Sequence, residues 1–131
     1  MDIYCDGGAR GNPGPPASAF VAIENKQVVF KQGKFLGHAT NNVAEYSAVI
    51  LALTWLQKQN CKEVNFRLDS QLVAKQMDGS FKIKNAKLQE LNATANALIK
   101  NLKFKISFSY IPRIKNSLAD KLVNDVLDEN S

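Results

Sequence analysis

Four carboxylates stand at expected element boundaries. Asp6 closes a first strand ahead of Gly7-Gly8, Glu45 falls in the first turn of a long helical stretch, Asp69 ends a strand before Ser70, and Asp120 lies in the first turn of the last helical stretch. Strand ends and helix starts gather at one edge of an α/β sheet, where ligands usually bind. Four acids converging there crowd like charges, which is unfavourable unless a cation offsets them. Hard oxygen ligands with no histidine or cysteine among them favour Mg2+ or Mn2+. Each acid also has a plainer role open to it. Asp6 suits a turn, Asp69 a helix cap, and Glu45 a capping box with Asn42; Asp120 belongs with the surface acids Asp125, Asp128 and Glu129.

The elements that must position these acids are legible in the hydrophobic pattern. After the strand Met1–Asp6, the Pro- and Gly-rich stretch from Arg10 to Pro16 excludes a regular element. Ala19–Ile23 and Val28–Phe30 flank the polar turn Glu24–Gln27, which predicts a hairpin whose second strand runs on to Leu36. From Asn41 to Gln59 the period is helical, through Val43, Tyr46, Val49, Ile50, Leu53 and Leu56. Val64–Asp69 alternates as a strand, Ser70–Met77 and Lys87–Lys100 read as helices, Phe104–Tyr110 as a strand ended by Pro112, and Leu118–Val126 as a final helix. The order βββ-α-β-α-α-β-α predicts an α/β fold: a mixed five-stranded sheet, three antiparallel strands then parallel ones, flanked by helices.

The 131 residues, 45% of them hydrophobic, suit one domain with its own core. No apolar run reaches the length of a membrane span, and Met1–Asp6 has no signal-peptide character. Cys5 and Cys61 are expected as free thiols of a reducing cytoplasm. The net charge of +5 suits a polyanionic partner, with Lys82, Lys84 and Lys87 in one group and Lys100, Lys103 and Lys105 in another, although solvated faces explain such groups as well. No exposed apolar stripe stands out, so a monomer is expected.

Four stretches resemble the signatures of type 1 ribonuclease H, in the family's order and at about its spacing. They are Asp6-Gly7-Gly8-Ala9-Arg10-Gly11-Asn12-Pro13-Gly14, Thr40-Asn41-Asn42-Val43-Ala44-Glu45, Leu68-Asp69-Ser70-Gln71, and Ile111-Pro112-Arg113 through Asn116-Ser117-Leu118-Ala119-Asp120. The resemblance implies a ribonuclease H-like fold and an endonuclease that cuts the RNA strand of an RNA–DNA hybrid. Asp6, Glu45, Asp69 and Asp120 match the family's metal-binding catalytic acids, which implies two Mg2+ or Mn2+ ions about 4 Å apart at the scissile phosphate. One would activate water and the other stabilise the leaving 3′-oxygen, giving 5′-phosphate and 3′-hydroxyl ends. Gly11, Asn12, Asn41 and Gln71 match positions that touch the RNA strand's minor groove, where the 2′-hydroxyl is sensed. Thr40 and Asn42 match positions that hold a DNA-strand phosphate, and Lys84-Asn85 resembles an element meeting the same phosphate.

The chain departs from the longer family pattern in two places. Many members carry a histidine on a loop shortly before the last acid; here that loop is short and Arg113 stands in its neighbourhood, a candidate for phosphate contact or product release, with a plain surface cation as the alternative. The sole histidine, His38, is expected to be an ordinary loop residue. The basic insertion is also missing, since only Asp78–Lys87 separates Met77 from Leu88, so hybrid affinity is expected to be modest and salt-sensitive. Three other readings stay open: a hybrid-binding module without catalysis, a nuclease acting on double-stranded RNA or DNA junctions, and a domain cut from a reverse transcriptase. Ends that read as complete weigh against the last.

Overall fold

The computed structural model describes residues 1–9 and 15–130. Five strands form one sheet: β1 (Asp2–Ala9), β2 (Pro16–Glu24), β3 (Gln27–Phe35), β4 (Glu63–Leu68) and β5 (Lys105–Tyr110). Their order is β3-β2-β1-β4-β5. The first three are antiparallel neighbours, while β4 runs parallel to β1 and to β5. The mixed sheet expected from the pattern is the one observed.

Alternation along the strands divides the core in two. Ile3, Cys5, Phe20, Ala22, Phe66 and Leu68 face one side and pack with α1 (Asn41–Leu56), α2 (Gln71–Met77) and α3 (Ala86–Lys100). Ala17 and Ala19 face the other side, where Val123 and Leu127 of α4 (Ser117–Glu129) cover them. The β2–β3 connection is a two-residue turn with φ of 53° at Asn25 and 63° at Lys26, the primed geometry whose twist matches a hairpin.

Several boundaries differ from expectation. β1 does not stop at Asp6; it continues to Ala9, with Gly7 opposite Ser18 and Gly8 opposite Ala17. The glycine pair is part of the ladder because α1 lies directly on it. A Cβ on Gly7 would sit 2.2 Å from the Ala44 carbonyl carbon and 2.5 Å from the Glu45 nitrogen. Ser18 Oγ, next to this contact, donates to the Ala44 carbonyl at 2.6 Å. α1 ends at Leu56 rather than Gln59, its exit tightened by i→i+3 bonds from Gln57, Lys58 and Gln59. A 3-10 turn at Arg113–Lys115, not expected from the pattern, leads into α4.

Gly7→Ala is therefore expected to destabilise the fold by about 3 kcal/mol or more, since backbone rather than a movable side chain opposes the methyl group. Urea unfolding checks this; a midpoint equal to wild type would show that α1 can retreat without loss.

Candidate active site

The parallel register sets the first pair of acids. Cys5 pairs with Leu68, the last residue of β4, so Asp6 and Asp69 follow on adjacent strands where that pairing ends. Glu45 reaches the same place from α1 because the helix rests on Gly7. It lies in the second turn, not the first, counting from the cap Thr40. Ligand oxygens of Asp6, Glu45 and Asp69 all lie within 4.8 Å of one another. Asp120 is in the first turn of α4 and lines the same cavity of about 440 Å³, together with Asn41, Arg113 and Asn124. The structure thus draws three of the four acids into one cluster and sets the fourth on its rim.

The plainer capping roles belong to other residues. Thr40 Oγ1 accepts from Val43 N at 3.3 Å, so no Asn42–Glu45 capping box forms. Ser70 Oγ accepts from Val73 N at 3.2 Å, so Asp69 is not the cap of α2. Asp6 lies within β1 opposite Ala19 and is not a turn residue.

Burial dominates the electrostatics. Asp6 is 7% exposed and Glu45 6%. Desolvation is the main reason that the Asp6 carboxyl is pushed up to about 7, with the charges of Asp69 and Asp120 adding to it; hydrogen bonds with Glu45 and the Gly7 N–H oppose it only in part. Burial likewise raises Glu45 well above the usual carboxylate range, helped by Asp6 and Asp69. Asp69 is raised by burial against the opposing Asn116 amide and Arg113 charge. Burial first, and then these same carboxylates, push the Cys5 thiol far up, which leaves it an inert packing group.

The donor set fits a divalent cation. It is all carboxylate, and Glu45 Oε2 is buried with no hydrogen-bond partner among the described residues. Burial first, and then the neighbouring charges, raise these carboxyls, and a hard cation at their centre would offset that cost. Arg113 sits beside them as a fixed charge, its Nη2 3.3 Å from Asp120 Oδ1. Asn124 Nδ2 also holds the Asp120 carbonyl, at 3.0 Å.

The other sequence-predicted residues spread outward from this centre. Asn41 opens α1, and its Oδ1 accepts from Ala9 N at 2.7 Å, tying the end of β1 to the helix start. Thr40, Asn42 and Gln71 are exposed at the first turns of α1 and α2. Asn85 caps α3, its Oδ1 accepting from Leu88 N at 3.0 Å, so it has a structural duty. Lys82, Lys84 and Lys87 are exposed around it. Gly11 and Asn12 lie outside the described residues. His38 is exposed and does not line the cavity. Asn116 was quoted within the fourth signature but given no role, yet it is buried and contacts Asp69; its polar type among exposed neighbours gave no sign of this.

Residues 5–126 match the protein family described as reverse transcriptase-like. The chain is similar to the bifunctional protein Rv2228c of Mycobacterium tuberculosis, 38% identical over 128 residues that cover 96% of this chain and 35% of that protein. It is also similar to ribonuclease HI of Halobacterium salinarum, 37% identical over 130 residues, covering 98% of this chain and 65% of that protein. The chain therefore spans about a third of the mycobacterial relative and just under two thirds of the halobacterial one. Among solved structures, LC11-RNase H1, isolated from compost and crystallised with an RNA/DNA hybrid, superimposes with a TM-score of 0.94 at 40% identity, covering 98% of this chain and 97% of that one.

Because the folded-state value of Asp6 is raised, its protonated form favours folding, and that contribution is lost as pH rises from about 4 to about 7. In a chelator, the melting temperature should fall across this window, and Asp6→Asn should flatten the fall and melt roughly 5 °C higher than wild type above pH 7. Melting curves for the two proteins across that range check this; parallel curves would mean that the carboxylates are not strained.

Proposed function

The chain belongs to the type 1 ribonuclease H family, and on that footing we propose that it hydrolyses the RNA strand of RNA–DNA hybrids, leaving 5′-phosphate and 3′-hydroxyl ends. The observation that carries this reading is the cluster of Asp6, Glu45 and Asp69 oxygens within 4.8 Å of one another, with Asp120 on the same cavity. These four residues would hold two Mg2+ or Mn2+ ions, which when bound supply water activation at neutral pH and charge stabilisation at the leaving oxygen. No protein nucleophile is then required, in keeping with the inert Cys5.

The remaining residues bind and orient. Gly11, Asn12, Asn41 and Gln71 would face the RNA strand, where amides can both donate to and accept from a 2′-hydroxyl. Thr40 and Asn42 would take a DNA-strand phosphate at the N-terminus of α1, where backbone N–H groups favour an anion, and Lys84-Asn85 would meet the same phosphate. Arg113 stays charged at any working pH and is 80% exposed in its side chain, free to meet a phosphate beside Asp120. The free thiols Cys5 and Cys61 suit the cytoplasm. A binding module without catalysis fits less well, because binding alone gives no reason to keep mutually repelling buried acids. The protein is expected to act as a monomer.

Cleavage of end-labelled RNA–DNA, RNA–RNA and DNA–DNA duplexes with Mg2+ or Mn2+ tests this reading. The RNA strand of the hybrid should be cut, and Asp69→Asn should lower the rate by roughly a thousandfold or more. Preferred cutting of RNA–RNA would shift the substrate to double-stranded RNA. Retained hybrid binding without cutting by either metal would leave only the binding module. In the same assay Arg113→Ala should slow turnover by roughly tenfold, the worth of one charge-assisted hydrogen bond; an unchanged rate would remove Arg113 from the site.

A further inference from the structure

Asn116 is 1% exposed, although it stands between the 3-10 turn and α4 with exposed neighbours on both sides. It occupies the cap position of α4, and asparagine is a favoured cap, yet its side chain makes no capping bond. The amide turns inward instead. Its Nδ2 donates to the Cys5 carbonyl at 2.8 Å and to Asp69 Oδ2 at 3.0 Å. Both partners are acceptors, so the orientation of the amide is forced: the reverse would set oxygen against oxygen. The price is an orphaned acceptor, because Asn116 Oδ1 is buried with no partner among the described residues. The Asn116 backbone carbonyl accepts from Asp120 N at 3.1 Å.

One residue therefore touches all three elements that bring aspartates to the cavity. It holds β1 at the residue before Asp6, the Asp69 carboxylate itself, and the α4 turn that carries Asp120. Folding alone would be served better by a side chain that capped α4 and left nothing unpaired. We propose that Asn116 is the positioning residue of the metal site: its amide fixes the plane of the Asp69 carboxylate and the spacing of Asp6, Asp69 and Asp120, so that the divalent ions meet ligands already in place. A neutral donor is needed here, since an aspartate would add a further negative charge and give up the donor. This role rests on the reading of the carboxylates as a divalent-ion site.

The test follows metal binding without catalysis. Mn2+ is titrated into wild type, Asn116→Ala and the control Asn92→Ala, and the melting temperature is read at each concentration. Asn92 donates to Tyr46 Oη and the Gln76 carbonyl, away from the carboxylates, so its loss reports plain destabilisation. Affinity for an RNA–DNA hybrid is measured in EDTA. Asn116→Ala should need roughly tenfold more Mn2+ to reach the midpoint of the thermal shift, with hybrid affinity unchanged and with the Asn92→Ala midpoint at the wild-type value. If Asn116→Ala proves too unstable, Asn116→Ser, whose hydroxyl can still donate to one acceptor, should move the midpoint by an intermediate amount. A midpoint that moves no further in the Asn116 variants than in Asn92→Ala would overturn the positioning role alone. A wild-type protein whose melting ignores Mn2+ would overturn the metal site and the positioning role together.

Discussion

At Gly7 the backbone of β1 lies against the Ala44–Glu45 peptide of α1 with no space for even one methyl group. That approach brings a helical glutamate to the end of a parallel strand pair. The alanines of α1 permit it: Ala44, Ala48 and Ala52 are fully buried, so the helix lies close on the sheet. Ser18 Oγ locks the contact through the Ala44 carbonyl, and Asn41 Oδ1 clamps the end of β1 to the start of the same helix. With α1 an ångström or two further out, Glu45 would leave Asp6, and the cavity would lose its third ligand.

Close approach has an electrostatic consequence. Asp6 and Glu45 are nearly dry, and Asp69 lies against them. The neighbouring donors compensate only in part. The Gly7 N–H serves Asp6, the Asn116 amide serves Asp69, and Arg113 serves Asp120. Glu45 Oε2 has no donor at all among the described residues. A site assembled for folding alone would not keep three carboxylates so near one another. Sites that bind cations accept this strain, because the ion relieves it on arrival.

Much of this was legible from periodicity. The element order and the mixed sheet follow from period-2 and helical stretches with turn residues between them, whereas the four acids stand out from their plainer roles only through the family signatures that surround them. The Gly7-Gly8 pair misled the reading of β1, since two glycines usually punctuate a chain; here they continue the strand because a helix presses on them, a tertiary reason that no local window contains. Glu45 lies in the second turn of α1 rather than the first, and the capping box that Asn42 could offer it does not form because Thr40 takes the cap. The cap that Asp69 could alternatively supply to α2 is made by Ser70. Asn116 carried no signal beyond its membership of a signature, because its importance lies in contacts with Cys5, 111 positions away, and Asp69, 47 positions away. Sequence order reveals which residues can do chemistry more readily than which ones hold them in place.

The most direct measurement is calorimetric titration of Mn2+ into the protein near pH 7, repeated in two buffers of different ionisation enthalpy. Buried carboxylates that share protons must release them to bind a cation. Binding should therefore be accompanied by net proton release that grows as the pH is lowered from about 7 towards 6, below the raised value of Asp6. Binding heats that are identical in the two buffers, or no binding at millimolar Mn2+, would contradict the assignment of this cluster as a divalent-cation site.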